Sequence, residues 1–491
     1  MIGTTKRQLI SGITYTALSK YAGMVISLVV TGILARLISP SDFGVVAVAT
    51  VIITFFGMFS DLGIAPAIIQ NKDLDRDALS DIFSFTIWVG IVISLCFFFF
   101  SWLIADYYDS PVLKGICQLL SIDLLFAAIN IVPYALLLKN KEFKFIAYRS
   151  LFVQTIGGTI SVLAALYGAG LYALIINPIF SSVFIFFICF RRHPQEFKRH
   201  LNIISIRKIF SFSSYQFLFN LINYFSRNLD KLLIGRYLGL SALGYYEKSY
   251  RLMMLPLQNI THVITPAMHP VFSELQNDLV RLSESYLKVV RLMAFIGFPL
   301  SVFLWFTSHE LIMLIFGDQW EKSVPAFQIL SLTVAIQIIL STSGSIFQAA
   351  NDTRNLFISG LLSAVMIIAG LLLTIFIFKT LEAVAWGFCI SFFINFIQCF
   401  ILMFKSTLKQ KMLPFWKQLW SPLVLSIILV VFFSLGSSAF EKTHFVFSLI
   451  LKGILLFTVC GLYIQLTGTY DLFEKIRLLP SLINKSKPSK L

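Results

Sequence analysis

The chain repeats itself. Leu34-Ala-Arg36-Leu-Ile-Ser-Pro-Ser41-Asp-Phe-Gly44 returns as Ile234-Gly-Arg236-Tyr-Leu-Gly-Leu-Ser241-Ala-Leu-Gly244, displaced by 200 residues. In each copy an arginine precedes a glycine by eight positions, on a short turn between two apolar stretches. The same displacement pairs Pro66-Ala67 with Pro266-Ala267. A displacement of 210 pairs Gln118-Leu-Leu-Ser121 with Gln328-Ile-Leu-Ser331, and Leu171-Tyr-Ala173 with Leu381-Glu-Ala383. A duplicated unit of roughly 200 residues, with about six hydrophobic spans in each copy, is a common plan among membrane transporters.

Composition agrees with that plan. The chain is 57% hydrophobic and 13% charged, with a mean hydropathy of +0.84. No water-soluble domain hides so much apolar surface, so lipid is the solvent for most of it. About fourteen stretches are long enough to cross a bilayer, each needing roughly 20 residues, and only helices satisfy their own backbone there. The expected fold is an all-α polytopic membrane protein with two six-helix lobes related by a parallel repeat, plus two C-terminal helices. Residues 1–190 form the first lobe, 191–210 a basic cytoplasmic linker, and 211–405 the second lobe. Residues 406–491 add two spans and a basic tail. Spans seven (211–235) and eight (241–267) are polar in places. Phe97 to Phe100 read as lipid-facing.

The net charge of +15 is not the mark of a nucleic-acid binder, because it falls on short segments between apolar spans. There Lys and Arg set orientation. Arg191, Arg192, Lys198, Arg199, Arg207 and Lys208, and earlier Lys139, Lys141, Lys144 and Arg149, place their loops and both termini in the cytoplasm. Lys6 and Arg7 precede a segment that is long for a signal peptide, which reads as a retained first helix. The six cysteines lie in apolar stretches without metal-type spacing.

Enzyme motifs fail. There is no phosphate-binding Gly-x4-Gly-Lys-Ser/Thr loop. Asp73-Leu-Asp75-Arg-Asp77 lacks the glycine and glutamate of a calcium loop, since Ala78 and Ser84 stand there, and it reads as a helix N-terminus. No motif calls for a cofactor or a metal. The outer loop 309–324 offers only His309, Glu310, Asp318 and Glu321.

Ionisable residues within the spans say more, because each is costly in hydrocarbon unless it faces a wet or protein-lined interior. Lys20 lies in the middle of span one, with no acid near it in sequence. Arg227 and Lys231, four apart, share a helix face, and Asp230 offsets only some of their charge. Such a pair either snorkels to a helix end or meets an anion such as a diphosphate. Arg251 and Arg291 add cationic candidates, although Glu247 stands four residues before Arg251 and suits an ordinary intrahelical pair. Asp61, Asp123 and Asp230 are the carboxylates available for ion coupling. Pro66 deprives the Leu62 carbonyl of its donor beside Asp61, which gives either an ion site or a capped kink. In the Arg36/Gly44 and Arg236/Gly244 turns the arginine is expected to snorkel and the glycine to permit a tight turn.

Several longer motifs carry a resemblance. Ser60-Asp61-Leu-Gly-Ile-Ala-Pro-Ala-Ile-Ile-Gln70, Asn228-Leu-Asp-Lys-Leu-Leu-Ile-Gly-Arg236-Tyr-Leu-Gly-Leu-Ser-Ala-Leu-Gly-Tyr-Tyr246, Leu255-Pro-Leu-Gln258 and Phe316-Gly-Asp-Gln-Trp320 resemble the Wzx-type polysaccharide flippases, in the colanic acid exporter branch of the multidrug/oligosaccharidyl-lipid/polysaccharide (MOP) exporter superfamily. The resemblance covers about the first 400 residues. It implies a V-shaped pair of lobes around a cationic cavity in the bacterial inner membrane. It also implies translocation of undecaprenyl-pyrophosphate-linked oligosaccharides for exopolysaccharide, capsule or O-antigen (lipopolysaccharide) synthesis, without catalysis. Lys20, Arg227, Lys231, Arg251 and Arg291 would bind the substrate head. H+ or Na+ is the expected counter-ion, and the protein is expected to act as a monomer beside the polymerase machinery. The alternatives are a multidrug exporter of the same superfamily, which would want acidic walls, and a membrane polymerase or ligase, which would want a larger outer loop.

Overall fold

The computed structural model describes the backbone of residues 2–61, 63–71, 74–199, 214–437, 440 and 443–468. Among these residues the chain is helical and contains no strand. Among the described residues, eleven helices are long and apolar enough to cross a membrane. A twelfth arises if Asp318–Ser331 and Thr333–Ala349, which meet at 47°, form one broken span. The helices Ser214–Tyr237 and Leu240–Ser273 coincide with the expected spans seven and eight; they have the length to cross but are too polar to be recognised by hydropathy. A spanning helix with a polar surface needs protein or water beside it.

Local chemistry sets the helix ends. Asp75 caps Arg76–Tyr107 by accepting from the Ala78 amide at 2.8 Å, and Asp77 follows in the first turn. This acidic run is therefore a helix start stabilised by capping and dipole; Asp73 lies outside the described residues. Asp278 caps Leu279–Phe306 in the same way, accepting from the Arg281 amide at 3.0 Å. The second span breaks where Pro66 predicts. Helix Pro40–Asp61 stops, Gly63 takes a left-handed φ of 76°, and Ile64–Gln70 starts afresh. Leu62 lies outside the described residues.

The chain forms two compact units. The first comprises residues 1–248 with 315–322 and 374–381; the second comprises 249–314, 323–373 and 382–491. In the first, Ile64, Ile68, Ile82, Phe83, Val132 and Ala135 form a buried cluster at the break in the second span. In the second, Phe295, Leu425, Leu429, Phe433 and Val459 bind the two C-terminal helices Leu413–Leu435 and Phe445–Thr467 to helix Leu279–Phe306. Large apolar side chains also cover the outside: Trp420 is 70% exposed, Phe457 78% and Leu466 85%. In water such a surface would aggregate, whereas a bilayer covers it without cost. Phe99 and Phe100 belong to this lipid-facing set as expected, but Phe97 points inward and is fully buried.

Candidate functional site

The polar helix Ser214–Tyr237 is held within the first unit by groups that need partners in a dry place. Tyr224 donates its hydroxyl to the Val51 carbonyl, and Tyr108 donates to that of Leu232 at 3.1 Å. Arg236 pairs with Asp109, so this arginine of the repeated turn is anchored by a carboxylate rather than simply snorkelling.

On the same helix Arg227 is exposed, Asp230 is buried and Lys231 is half-buried. Asp230 accepts a hydrogen bond from the Tyr246 hydroxyl at 2.8 Å and one from the Lys231 amide at 2.8 Å. The Lys231 ammonium lies 2.8 Å from the Glu247 carboxylate. Glu247, expected to pair with Arg251 along its own helix, reaches across to the neighbouring helix as well, and the charge of Lys231 is met within the protein. Next in sequence, Lys248 is buried, with its ammonium 3.6 Å from the centre of the Phe43 ring, 5.5 Å from Trp320 and 5.7 Å from Phe316. The Trp320 indole donates to the Ala35 carbonyl at 2.7 Å and fixes one wall of this aromatic box. Desolvated cation–π contacts of this kind are worth ~2 kcal/mol.

The other expected residues are dispersed. Lys20 is exposed on helix Ile2–Leu37, between Ser19 and Gly23, which bond to Ala147 and Gln154 of helix Phe143–Leu166. Among the described residues no carboxylate pairs with Lys20. Asp123 is half-buried on Pro111–Ile129, beside the Ser182 hydroxyl. Arg251 and Arg291 belong to the second unit, where the guanidinium of Arg291 lies 5.9 Å from the Phe295 ring. The side chain of Asp61 lies outside the described residues, as do those of Pro266 and Ala267 and all of 200–210 in the linker. Thr261, which the repeat aligns with Asp61, donates to Ser341 at 3.3 Å.

Three features were missed by sequence reasoning. Arg149, counted with a basic loop, is turned inward; it is 7% exposed, donates to Cys189 Sγ at 2.6 Å and lies 5.4 Å from the Tyr134 ring. Glu310 is no outer-loop acid. It is buried on helix Ser308–Ile315, accepts from Ser448 at 2.6 Å and pairs with Lys452, whose ammonium also donates to the Phe306 carbonyl at 2.7 Å. The box around Lys248 draws on Phe43, Phe316 and Trp320, all within or beside the motifs named above, yet nothing in their spacing points to a buried lysine.

Comparison with known proteins places this geometry in a family. The family model described as polysaccharide biosynthesis protein matches residues 33–325, more than half of the chain. The lipopolysaccharide biosynthesis protein WzxC of Escherichia coli (strain K12) is 27% identical over 444 residues, covering 88% of each chain. The succinoglycan biosynthesis transport protein ExoT of Rhizobium meliloti (strain 1021) is 24% identical over 333 residues, 67% of this chain and 66% of that one. Among solved structures, lipid II flippase MurJ in an inward closed conformation superposes with a TM-score of 0.70 at 15% identity, covering 93% of this chain and 100% of its own. That likeness establishes a shared helical transporter fold. The chain is a multi-pass membrane protein that belongs to the polysaccharide biosynthesis protein family.

Proposed function

We propose that this protein is a flippase that carries lipid-linked oligosaccharides, with an undecaprenyl pyrophosphate anchor, from the inner to the outer leaflet of the bacterial inner membrane. The observation that carries the reading is the helix Ser214–Tyr237: long enough to span, too polar for lipid, and bearing Arg227 and Lys231 one turn apart. A sugar diphosphate head cannot cross hydrocarbon, because stripping its charges of water costs tens of kcal/mol by Born solvation, about 20 per unit charge. Cationic side chains replace that water through charge-assisted hydrogen bonds. The relatives named for lipopolysaccharide biosynthesis and succinoglycan transport support this substrate class.

Lys20, Arg227 and Lys231 guide the head while the polyprenyl tail stays in lipid, and Arg251 and Arg291 are further cationic candidates for the same substrate. The two repeats alternate between inward and outward access. Asp61, Asp123 or Asp230 couples this cycle to H+ or Na+. Transport rather than catalysis is supported by the burial of Glu310 against Lys452, which leaves segment 309–324 one acid fewer for an enzyme to use. The excess of Lys and Arg on one set of loops supports cytoplasmic termini.

The test is reconstitution. Vesicles carrying the protein and a labelled undecaprenyl-pyrophosphate oligosaccharide in one leaflet should expose the sugar to an impermeant periodate reagent faster than protein-free vesicles. Equal rates overturn the proposal.

A further inference from the structure

Three consecutive residues, Tyr246, Glu247 and Lys248, leave their helix about 100° apart and meet three different partners within the first unit. Tyr246 holds Asp230, Lys248 sits in the aromatic box, and between them Glu247 faces Lys231. The two flanking contacts are deeply buried, whereas Lys231 and Glu247 keep 15% and 26% of their side chains open to solvent. The pair is close but poorly directed. Glu247 Oε2 lies 2.8 Å from the ammonium, yet it makes no hydrogen bond of proper geometry. Asp230 is the other carboxylate near Lys231, but it is buried and already accepts from the Tyr246 hydroxyl and the Lys231 amide. Lys231 is thus a partly open cation beside a carboxylate that is itself partly open, whose nearer oxygen is buried but loosely bonded, and whose two sequence neighbours fix it from both sides.

We propose that Glu247 is a resident competitor for a diphosphate at Lys231. The anionic head of the substrate displaces the carboxylate and takes the ammonium; the anchored carboxylate then reclaims Lys231 and helps the head to leave. This exchange rests on the flippase reading above and gives that reading its binding partner in detail. A transporter needs such a device. A bare cation pair in a poorly hydrated interior binds a diphosphate too tightly to release it, and a charge held nearby offsets some of that attraction without abolishing it. Arg227, exposed one turn away on the same helix, adds a second positive charge to this part of the helix. The carboxylate also gives the empty site a counter-charge, so that Lys231 is not left uncompensated when no substrate is present.

The exchange predicts opposite effects from the two halves of one ion pair, which an ordinary structural salt bridge does not. Full-length protein in nanodiscs is titrated with undecaprenyl diphosphate and binding is followed by native mass spectrometry. Glu247→Gln should bind roughly tenfold more tightly than wild type and release more slowly in a chase. Lys231→Gln should bind more weakly, and Lys231→Gln/Glu247→Gln should bind no better than Lys231→Gln. Should Glu247→Gln fail to fold, Glu247→Asp, which draws the carboxylate back by one methylene, must shift affinity the same way by a smaller factor. If wild type binds but removing the Glu247 charge leaves affinity unchanged or weaker, the exchange is overturned alone. If wild type binds no undecaprenyl diphosphate, the flippase reading falls with it.

Discussion

Gly44 and Gly244 stand at equivalent places in the two repeats, and each is pressed against the backbone of the other copy's turn. A Cβ on Gly44 would lie 1.8 Å from the Leu240 carbonyl oxygen, and one on Gly244 would lie 1.9 Å from that of Pro40. Pro40 and Leu240 are themselves 200 residues apart, so the contact is reciprocal, as expected of two copies related by pseudo-symmetry. Small residues permit such an approach between helices in lipid. The expectation that these glycines make a tight turn is corrected: each is the fifth residue of its helix, and neither has a positive φ. The left-handed position in the second turn is Gly239, at φ 96° with nothing within 4 Å of a Cβ.

The two demands on glycine are separable by mutation. Gly239→Ala strains one backbone position and should cost about 1–2 kcal/mol. Gly44→Ala and Gly244→Ala must push a pair of helix ends apart and should cost more than the ~1–3 kcal/mol of ordinary overpacking. Thermal melts and yields of monodisperse protein in detergent should rank both Gly44→Ala and Gly244→Ala well below Gly239→Ala. Equal losses would mean that the crossing is looser than the distances state.

Much of this fold was legible because its solvent is lipid. Apolar runs of spanning length mark helices without knowledge of their neighbours, and the repeat sets their grouping. What was not legible depends on contacts between distant residues. Lys452 lies 142 residues from Glu310, and neither stands in a pattern that names the other. Arg149 looks like any loop cation until helix Ala173–Arg192 brings Cys189 against it. In the candidate site, Arg227, Asp230 and Lys231 were visible as a helical stripe. Glu247 was visible too, but the four-residue rule names only Arg251 and is silent about Lys231 on the neighbouring helix.

The buried pair Glu310–Lys452 should behave as a charge-balanced unit that anchors the last helix. Lys452→Met strands a carboxylate where both side chains are at most 10% exposed, and should cost about 3–5 kcal/mol. Glu310→Gln strands the ammonium and should cost a similar amount. The double variant Glu310→Gln/Lys452→Met leaves no buried charge and should recover most of the loss. Melting temperatures of the four proteins in detergent decide this. A double variant as unstable as the sum of its singles would show that the two residues act independently.

Outside the spans, Glu142 accepts from Arg192 at 2.9 Å and faces His193 at 2.7 Å. Burial pushes its carboxyl up, but the hydrogen bonds and charges of Arg192 and His193 outweigh this and hold it below the usual carboxylate value. Since the folded value is depressed, the stabilisation is present above the unfolded pKa of about 4.3 and is lost as pH falls through the lower folded value. The His193 amide, which donates to the Cys189 carbonyl, should therefore keep its hydrogen-exchange protection from pH 7 to about 5 and lose it below about 4.3, after correction for intrinsic rates. Glu142→Gln should show the lower protection already at neutral pH.

Asp230 separates a coupling role from a structural one. It is 3% exposed, and both of its hydrogen bonds come from donors, Tyr246 and the Lys231 amide. Asp230→Asn keeps one carbonyl oxygen to accept from the Lys231 amide, and its amide group can donate to the Tyr246 hydroxyl, which accepts as well as donates; exchanging charge-assisted bonds for neutral ones should still cost a modest ~1–2 kcal/mol of stability in either case. The two roles diverge in the response to gradients. A coupling carboxylate must alternate between a charged or ion-bound form and a neutral or empty one, and asparagine cannot. Proteoliposomes carrying Asp230→Asn should then bind undecaprenyl diphosphate, yet fail to accelerate flipping when a proton or sodium gradient is imposed. Tyr246→Phe removes a hydrogen bond to Asp230 without removing the charge, and should retain gradient-driven flipping at reduced stability. If Asp230→Asn responds to both gradients as wild type does, Asp230 only positions Tyr246, and Asp123 becomes the next carboxylate to substitute.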